Sequence, residues 1–380
     1  MMYDKKQITL VSNILKANKT NYWTGNECKK FEREFSKYHK NKYSIAVANG
    51  SVALELSLKS LNLKRNDEVI VTPRSFIASA SCVLNLGLKP VFADLDMNGN
   101  LNIKGISEVY TKRVKAIILV HLNGLPCDLD PIVSFSKKKK IFIIEDCSQS
   151  HGAKYKGKPV GSFGDVAAWS FCQDKIISTG GEGGMISTNN EKIWKKCWSY
   201  KDHGKNYDKV FHKKHKSGFK WLHDQLGSNY RMTEMQAAIG RLQLKELDSQ
   251  IKKRNLIANT YITKLNYFFK KGVFFKKINL KYNCVHAFYR LNLFIDSKKV
   301  NQLKLINELN KNKINALVGA CPEIYREKIF KKLKFYPKKR LPMAKLLGKT
   351  SIAFKIDPYV SLNTVKRNIQ IIIRVLNKYK

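Results

Sequence analysis

A chain of 380 residues is long enough for one large domain and a smaller one, each with its own core. Its 43% hydrophobic and 11% aromatic content excludes a disordered chain, and no apolar run reaches the roughly 18 to 20 residues of a membrane span. The 71 basic and 29 acidic side chains give a net charge of +42, which favours anionic partners; the basic residues are spread along the chain, however, and no zinc-finger or RNP-like motif accompanies them.

The opening residues lack the continuous apolar stretch of a secretory signal, so a cytoplasmic protein is expected. From residue 44 onward, short apolar runs alternate with helical patterns. Candidate strands are SIAVAN, EVIVTP, PVFADLD, VKAIILVHL, KIFIIED, VAAWSF and GMISTN, with helices such as SVALELSLKSLN between them. Near-continuous apolar strands with helical crossovers predict an α/β fold: a mostly parallel central sheet covered by helices on both faces. A long helical pattern starts at Thr233. After it, CVHAFYRLNLFID reads as a strand and KKVNQLKLINELNKNKI as a helix of a smaller C-terminal α/β domain. The expected division is 1–245 for the large domain and 246–380 for the small one.

Eight cysteines, at positions 28, 82, 127, 147, 172, 197, 284 and 321, form no CxxC pair, which argues against a disulfide framework and a structural zinc site. No metal site is expected. LLGKTS imitates the end of a P-loop, but Met343 stands where its first glycine belongs, and neither GxGxxG nor HExxH occurs.

What remains is a set of loops at strand ends. In ANGSVALEL, Asn49, Gly50 and Ser51 open a helix whose free N–H groups suit a phosphate, although many strand-to-helix turns carry such a cap. IFIIED ends on Glu145 and Asp146, whose side chains point to opposite faces of a strand, so at most one serves a shared site. That carboxylate could cap a helix, bind a metal or pair with a cationic ring nitrogen. In SFCQDKIISTGGEGGM, Lys175 sits between an apolar run and four glycines, where burial predicts a lowered pKa and an amine able to form a Schiff base with an aldehyde. Pyridoxal phosphate needs this lysine, a phosphate cup and an acidic partner for its pyridine nitrogen. All three occur.

In this order the segments YWTGNECKKFEREFSKY, VANGSVALELSLKSL, IIEDCSQSHGA, GSFGDVAAWSFCQDKIISTGGEGGM and GSNYRMTEMQAAIGRLQL resemble the DegT/DnrJ/EryC1/StrS sugar aminotransferases, fold-type I pyridoxal 5'-phosphate enzymes. The resemblance implies that Lys175 is the Schiff-base lysine and proton carrier. It places Asp146 on the pyridine nitrogen, Gln149 near the phenolic oxygen, and Gly50, Ser51 and Ser170 on the phosphate. Phe76 would stack on the ring, and Asn229 would reach the phosphate of a neighbouring subunit, making a homodimer part of the active site. Two features depart from the family pattern. Asp357-Pro358 stands where many relatives have His-Pro-Thr, and the segment 201–226 is long and basic, with His203, Lys213, Lys214 and His215 either available to a diphosphate or on a surface loop.

The expected reaction moves an amino group from L-glutamate to a nucleotide-linked keto-deoxy sugar in surface polysaccharide or related glycan biosynthesis. No nucleic-acid or membrane partner is expected. The competing readings are transamination of a small phosphorylated ketone such as dihydroxyacetone phosphate and, from another class, a non-catalytic regulator or nucleic-acid binder supported only by the charge.

Overall fold

A computed structural model describes residues 3–276 and 283–379. Seven of the apolar runs form one sheet: β1 (Tyr43–Val47), β2 (Glu68–Val71), β3 (Lys89–Phe92), β4 (Val114–Val120), β5 (Phe142–Asp146), β6 (Val166–Ser170) and β7 (Gly184–Thr188), in the order β1-β7-β6-β5-β4-β2-β3. Only β7 runs against the rest. The expected mostly parallel sheet is therefore observed.

Alternation along each strand feeds two cores. Val69, Val71, Ile118, Ile144 and Ala168 face one side, with Leu54, Val83 and Ile193 from the helices Gly50–Ser60, Ala78–Asn85 and Glu191–Lys201. On the other side, Ala167 and Trp169 pack with Phe31, Phe35 and Leu244, while Ile70, Ile117 and Ile143 pack with Ile106 and Ile132. Burial on both faces is what makes these strands read as continuous apolar runs.

A second sheet contains β8 (Phe274–Lys276), β9 (Arg290–Ile295), β10 (Ala316–Leu317) and β11 (Ser351–Lys355), all antiparallel, in the order β8-β9-β11-β10. The helices Gln302–Lys311 and Leu362–Leu376 cover it through Leu305, Leu309, Ile369 and Ile372. The 31-residue helix Glu234–Lys264 joins the two units: Leu244 and Leu247 belong to the core of the large sheet, and Ile257 and Tyr261 to that of the small one. The helix crosses residue 245 without a break. Farther on, Ile324, Tyr325 and Phe330 return to pack with Phe92 on the large sheet.

Two local expectations change. Cys284–Tyr289 is not strand, because Val285 bridges to Lys154 and the Ala287 N–H donates to the Gly124 carbonyl, so β9 starts only at Arg290. LLGKTS lies mostly inside the helix Pro342–Thr350, which removes the loop a phosphate-binding motif requires. No described helix is long and apolar enough to cross a membrane.

Candidate active site

The carboxyl ends of β1, β5 and β6 open onto a cavity of about 540 Å³ lined by Gly50, Ser51, Phe76, Asp146, Gln149, Ser170 and Lys175. These are the residues the sequence assigns to a cofactor site, except Asn229. Asn229 is exposed, forms an antiparallel bridge with Asp202 and lies outside this cavity.

At one wall the helix Gly50–Ser60 begins. The Asn49 side chain accepts from the Val52 N–H at 3.0 Å and its carbonyl from the Ala53 N–H, so of the first-turn donors those of Gly50 and Ser51 are left over. Ser170, at the end of β6, stands opposite. A Cβ built on Gly50 would lie 2.5 Å from the Ser170 Cβ, so only glycine lets the helix start approach this closely. We predict that Gly50→Ala costs about 1–3 kcal/mol of overpacking at this contact. That weakens cofactor capture roughly 10- to 100-fold, as measured by titrating the cofactor-free chain; an unchanged dissociation constant would show that this helix start does not hold the phosphate.

The adjacent acids divide as strand alternation requires. Asp146 faces the cavity, where its Oδ2 accepts from the Ser79 hydroxyl at 2.8 Å and its Oδ1 from the Ser148 N–H at 3.1 Å. Glu145 faces away and is fully buried. It accepts from His121 Nε2 at 3.0 Å and from the N–H groups of Gly161, Phe163 and Gly164 at 2.7–2.8 Å. Burial raises its pKa, but His121 and these amides more than offset that and hold it below the ordinary carboxylate range. His121, Glu145 and Cys147 lie close enough together to suggest a metal site. The His121 and Glu145 lone pairs are already engaged: His121 Nδ1 accepts from the Cys127 N–H, and both Glu145 oxygens accept from the donors just named.

Gln149 Oε1 accepts from the Asn123 N–H at 2.8 Å, which fixes the amide orientation and leaves its Nε2 as the donor toward the cavity. Phe76 is 68% exposed, so it is a cavity-rim aromatic and not a core one.

Lys175 Nζ lies 2.9 Å from Asp174 Oδ1 and 5.2 Å from the centre of the Tyr289 ring. The Tyr289 hydroxyl donates to the other oxygen of Asp174. Burial pulls the lysine pKa down, yet Tyr289 and Asp174 together hold it above its ordinary value. The lowered pKa expected from the sequence is therefore corrected: without cofactor, Lys175 is a paired ammonium.

The donor set fits pyridoxal phosphate. Two free helix-start N–H groups with a serine suit a phosphate, a fixed carboxylate suits a protonated ring nitrogen, an exposed aromatic suits a ring face, and one lysine lies within the same cavity. The profile of the DegT/DnrJ/EryC1/StrS aminotransferase family matches residues 2–373.

The chain belongs to that family.

An aminotransferase from Psychrobacter cryohalolentis of known structure is 42% identical, with a TM-score of 0.97 over 100% of this chain and 98% of that one. The dTDP-3-amino-3,6-dideoxy-alpha-D-galactopyranose transaminase of Aneurinibacillus thermoaerophilus is 30% identical over 100% of this chain and 96% of that protein. The GDP-perosamine synthase of Escherichia coli O157:H7 is 40% identical over 64% of each chain. The protein is thus a pyridoxal-phosphate-dependent aminotransferase of the sugar aminotransferase family.

Sequence reasoning missed several residues of this DegT-family site. Ser79 and Ser148 hold Asp146, Asn123 holds Gln149, and Asp174 and Tyr289 hold Lys175. Asp174 was legible as the neighbour of Lys175. Tyr289 carried no local signal, being 115 residues from Asp174. His203, Lys213, Lys214 and His215 lie on the surface segment and line no part of this chain's cavity, while Asp357 accepts from the Tyr359 N–H.

Proposed function

We propose that this enzyme transfers the amino group of L-glutamate to the keto carbon of a nucleotide-linked keto-deoxy sugar, in cytoplasmic synthesis of a surface polysaccharide or related glycan. The observation that carries this reading is the convergence of Lys175, Asp146 and the Gly50–Ser51 helix start on one cavity, in a chain whose relatives include a perosamine synthase and an aminodideoxygalactose transaminase.

The bound cofactor supplies an aldehyde that accepts the amino group and a ring that accepts electrons. The chain's own groups supply the rest. The N–H groups of Gly50 and Ser51 and the Ser170 hydroxyl bind the phosphate. Asp146, fixed by Ser79 and Ser148, holds the proton on the ring nitrogen. Gln149 Nε2 donates to the phenolic oxygen, Phe76 covers one ring face and excludes water, and Lys175 Nζ carries the proton between carbon atoms in both halves of the reaction.

Among the described residues, the cavity wall has three carboxylates, those of Asp146, Asp174 and Glu182, against the single cation Lys175. An anionic substrate needs more positive charge than this. In a homodimer the basic segment 201–226 of the neighbouring subunit provides it at the diphosphate, while the uncharged Asn229 amide of that subunit donates to the cofactor phosphate.

Ping-pong kinetics test this reading. The loaded enzyme is expected to release 2-oxoglutarate from glutamate alone in a single turnover, and the resulting amine form should then pass its nitrogen to keto sugars in preference to dihydroxyacetone phosphate. A need for both substrates before any product forms would overturn the scheme, and preference for the ketone phosphate would reassign the acceptor.

A further inference from the structure

A groove of about 390 Å³ opens beside the start of β1 and shares no lining residue with the cofactor cavity, which lies at the other end of that strand. Its volume falls within the roughly 300–1,000 Å³ of small-molecule sites. Helical spacing builds it. Lys29, Glu32, Arg33 and Ser36 recur every three or four positions along one face of the helix Glu27–His39. Trp194 and Trp198 do the same on the helix Glu191–Lys201, and Tyr207 and Phe211 on the short helix Tyr207–Phe211. Lys42 and Tyr43 close the groove from the sheet edge.

One wall is aromatic. Tyr43 and Trp194 stack at 4.8 Å with their planes 20° apart, and Tyr207 stands edge-on to Trp194 at 4.7 Å and to Trp198 at 4.9 Å. The rings hold one another in place, so the wall is formed before a ligand arrives.

The charge on the groove is the reverse of that in the cofactor cavity. Lys29, Arg33 and Lys42 line it, and among the described residues none of them pairs with a carboxylate. The nearby acids are engaged elsewhere. Glu27 pairs with Lys30 and Arg241, and Glu34 also pairs with Arg241. Glu32, the one acid of the lining among the described residues, is held from within: Oε1 accepts from the Ala46 N–H at 2.9 Å and Oε2 from the Tyr22 hydroxyl at 3.4 Å. The fully buried Lys201 ammonium, 3.9 Å from Glu32, offsets its charge. Three uncompensated cations and a wall of rings therefore share one groove.

We propose that this groove binds a nucleotide, with the base against the ring wall and the phosphate on Lys29, Arg33 and Lys42. A sugar phosphate would use only the cations, and a nucleoside only the rings. A nucleotide uses both. Stacking on aromatic side chains tolerates any base, so the groove selects the class of ligand and not one base. Cations without a counter-charge draw in the phosphate and bind it through charge-assisted hydrogen bonds.

Calorimetric titration of the cofactor-loaded full chain with guanosine monophosphate tests this, with guanosine and ribose 5-phosphate as the two half-ligands. The expected result is saturable binding of the nucleotide, weaker by about tenfold or more for either half-ligand. Arg33→Gln combined with Lys42→Gln changes two exposed side chains outside the cofactor cavity. It should weaken nucleotide binding by about tenfold or more, while the absorbance of the bound cofactor stays as in the wild type. Crystals soaked in the nucleotide should show its phosphate beside Arg33. No saturable binding, equal affinity for either half-ligand, an unchanged affinity in the double variant, or nucleotide density confined to the cofactor cavity would each overturn the proposal.

Discussion

Lys175→Ala is expected to reduce turnover by about 10⁴-fold or more, because one side chain serves as both nucleophile and proton carrier and general acid–base catalysis alone is worth about 10²–10⁴-fold. The loss should be one of chemistry and not of folding. Lys175 is partly exposed to the cavity, and its removal leaves Asp174 still bonded to the Tyr289 hydroxyl and 3.9 Å from Arg290. Lys175→Arg is the sharper control: it keeps a cation beside Asp174, yet its guanidinium does not give up a proton at working pH. Both variants should bind cofactor without the spectral change that glutamate produces in the wild type, and their unfolding midpoints should stay close to wild type. A Lys175→Arg enzyme that turns over at more than about a hundredth of the wild-type rate would contradict the proton-carrier role.

The second large effect separates two neighbouring acids. Asp146→Asn should slow the glutamate half-reaction by about 10²–10³-fold, the range seen when one fixed electrostatic group is removed from an active site. The asparagine oxygen still accepts from Ser79 or Ser148, so the expected stability cost is only about 1 kcal/mol. Glu145→Gln should do the reverse. It replaces a carboxylate that accepts from His121 and three backbone N–H groups with an amide whose NH₂ must face one of those donors. Breaking a buried charged network of this kind costs about 3–5 kcal/mol, while the chemistry of any protein that remains folded should be close to normal.

The Glu145 network also has a pH signature. Its folded pKa is depressed, so its contribution is fully present above the ordinary carboxylate range and is lost as pH falls through that range to the lower folded value. Urea unfolding of wild type should show that acid-side loss, and Glu145→Gln should lack its share of it. If Asp146→Asn proves the destabilising change and Glu145→Gln the inactivating one, the assignment of the two faces is wrong.

That division between Glu145 and Asp146 was legible in the sequence because strand alternation has a fixed period: once IFIIED is a strand, its last two side chains must diverge. The helix start at Asn49, the glycine at position 50 and the lone lysine at 175 were legible for the same reason, since caps, close approaches and strand-end loops are set by residues a few positions apart. The family resemblance then supplied the roles of Gln149 and Phe76, which no local rule contains. Local pattern failed where a distant segment decides the outcome. CVHAFYRLNLFID has a strand-like composition throughout, but its first half is drawn off to pair with Lys154 and Gly124.

By itself, then, the sequence determined the order of strands and helices, the helix start at Gly50 and the opposed acids at the end of β5, because those depend on backbone periods of two and 3.6 residues. Only the tertiary structure decided the charge on Lys175. Burial by itself lowers a lysine pKa, and the sequence showed only the burial; the opposing field comes from Asp174 next to it and from Tyr289, which the fold brings back from the start of the small sheet. Electrostatics acts through space, and space is what the fold supplies.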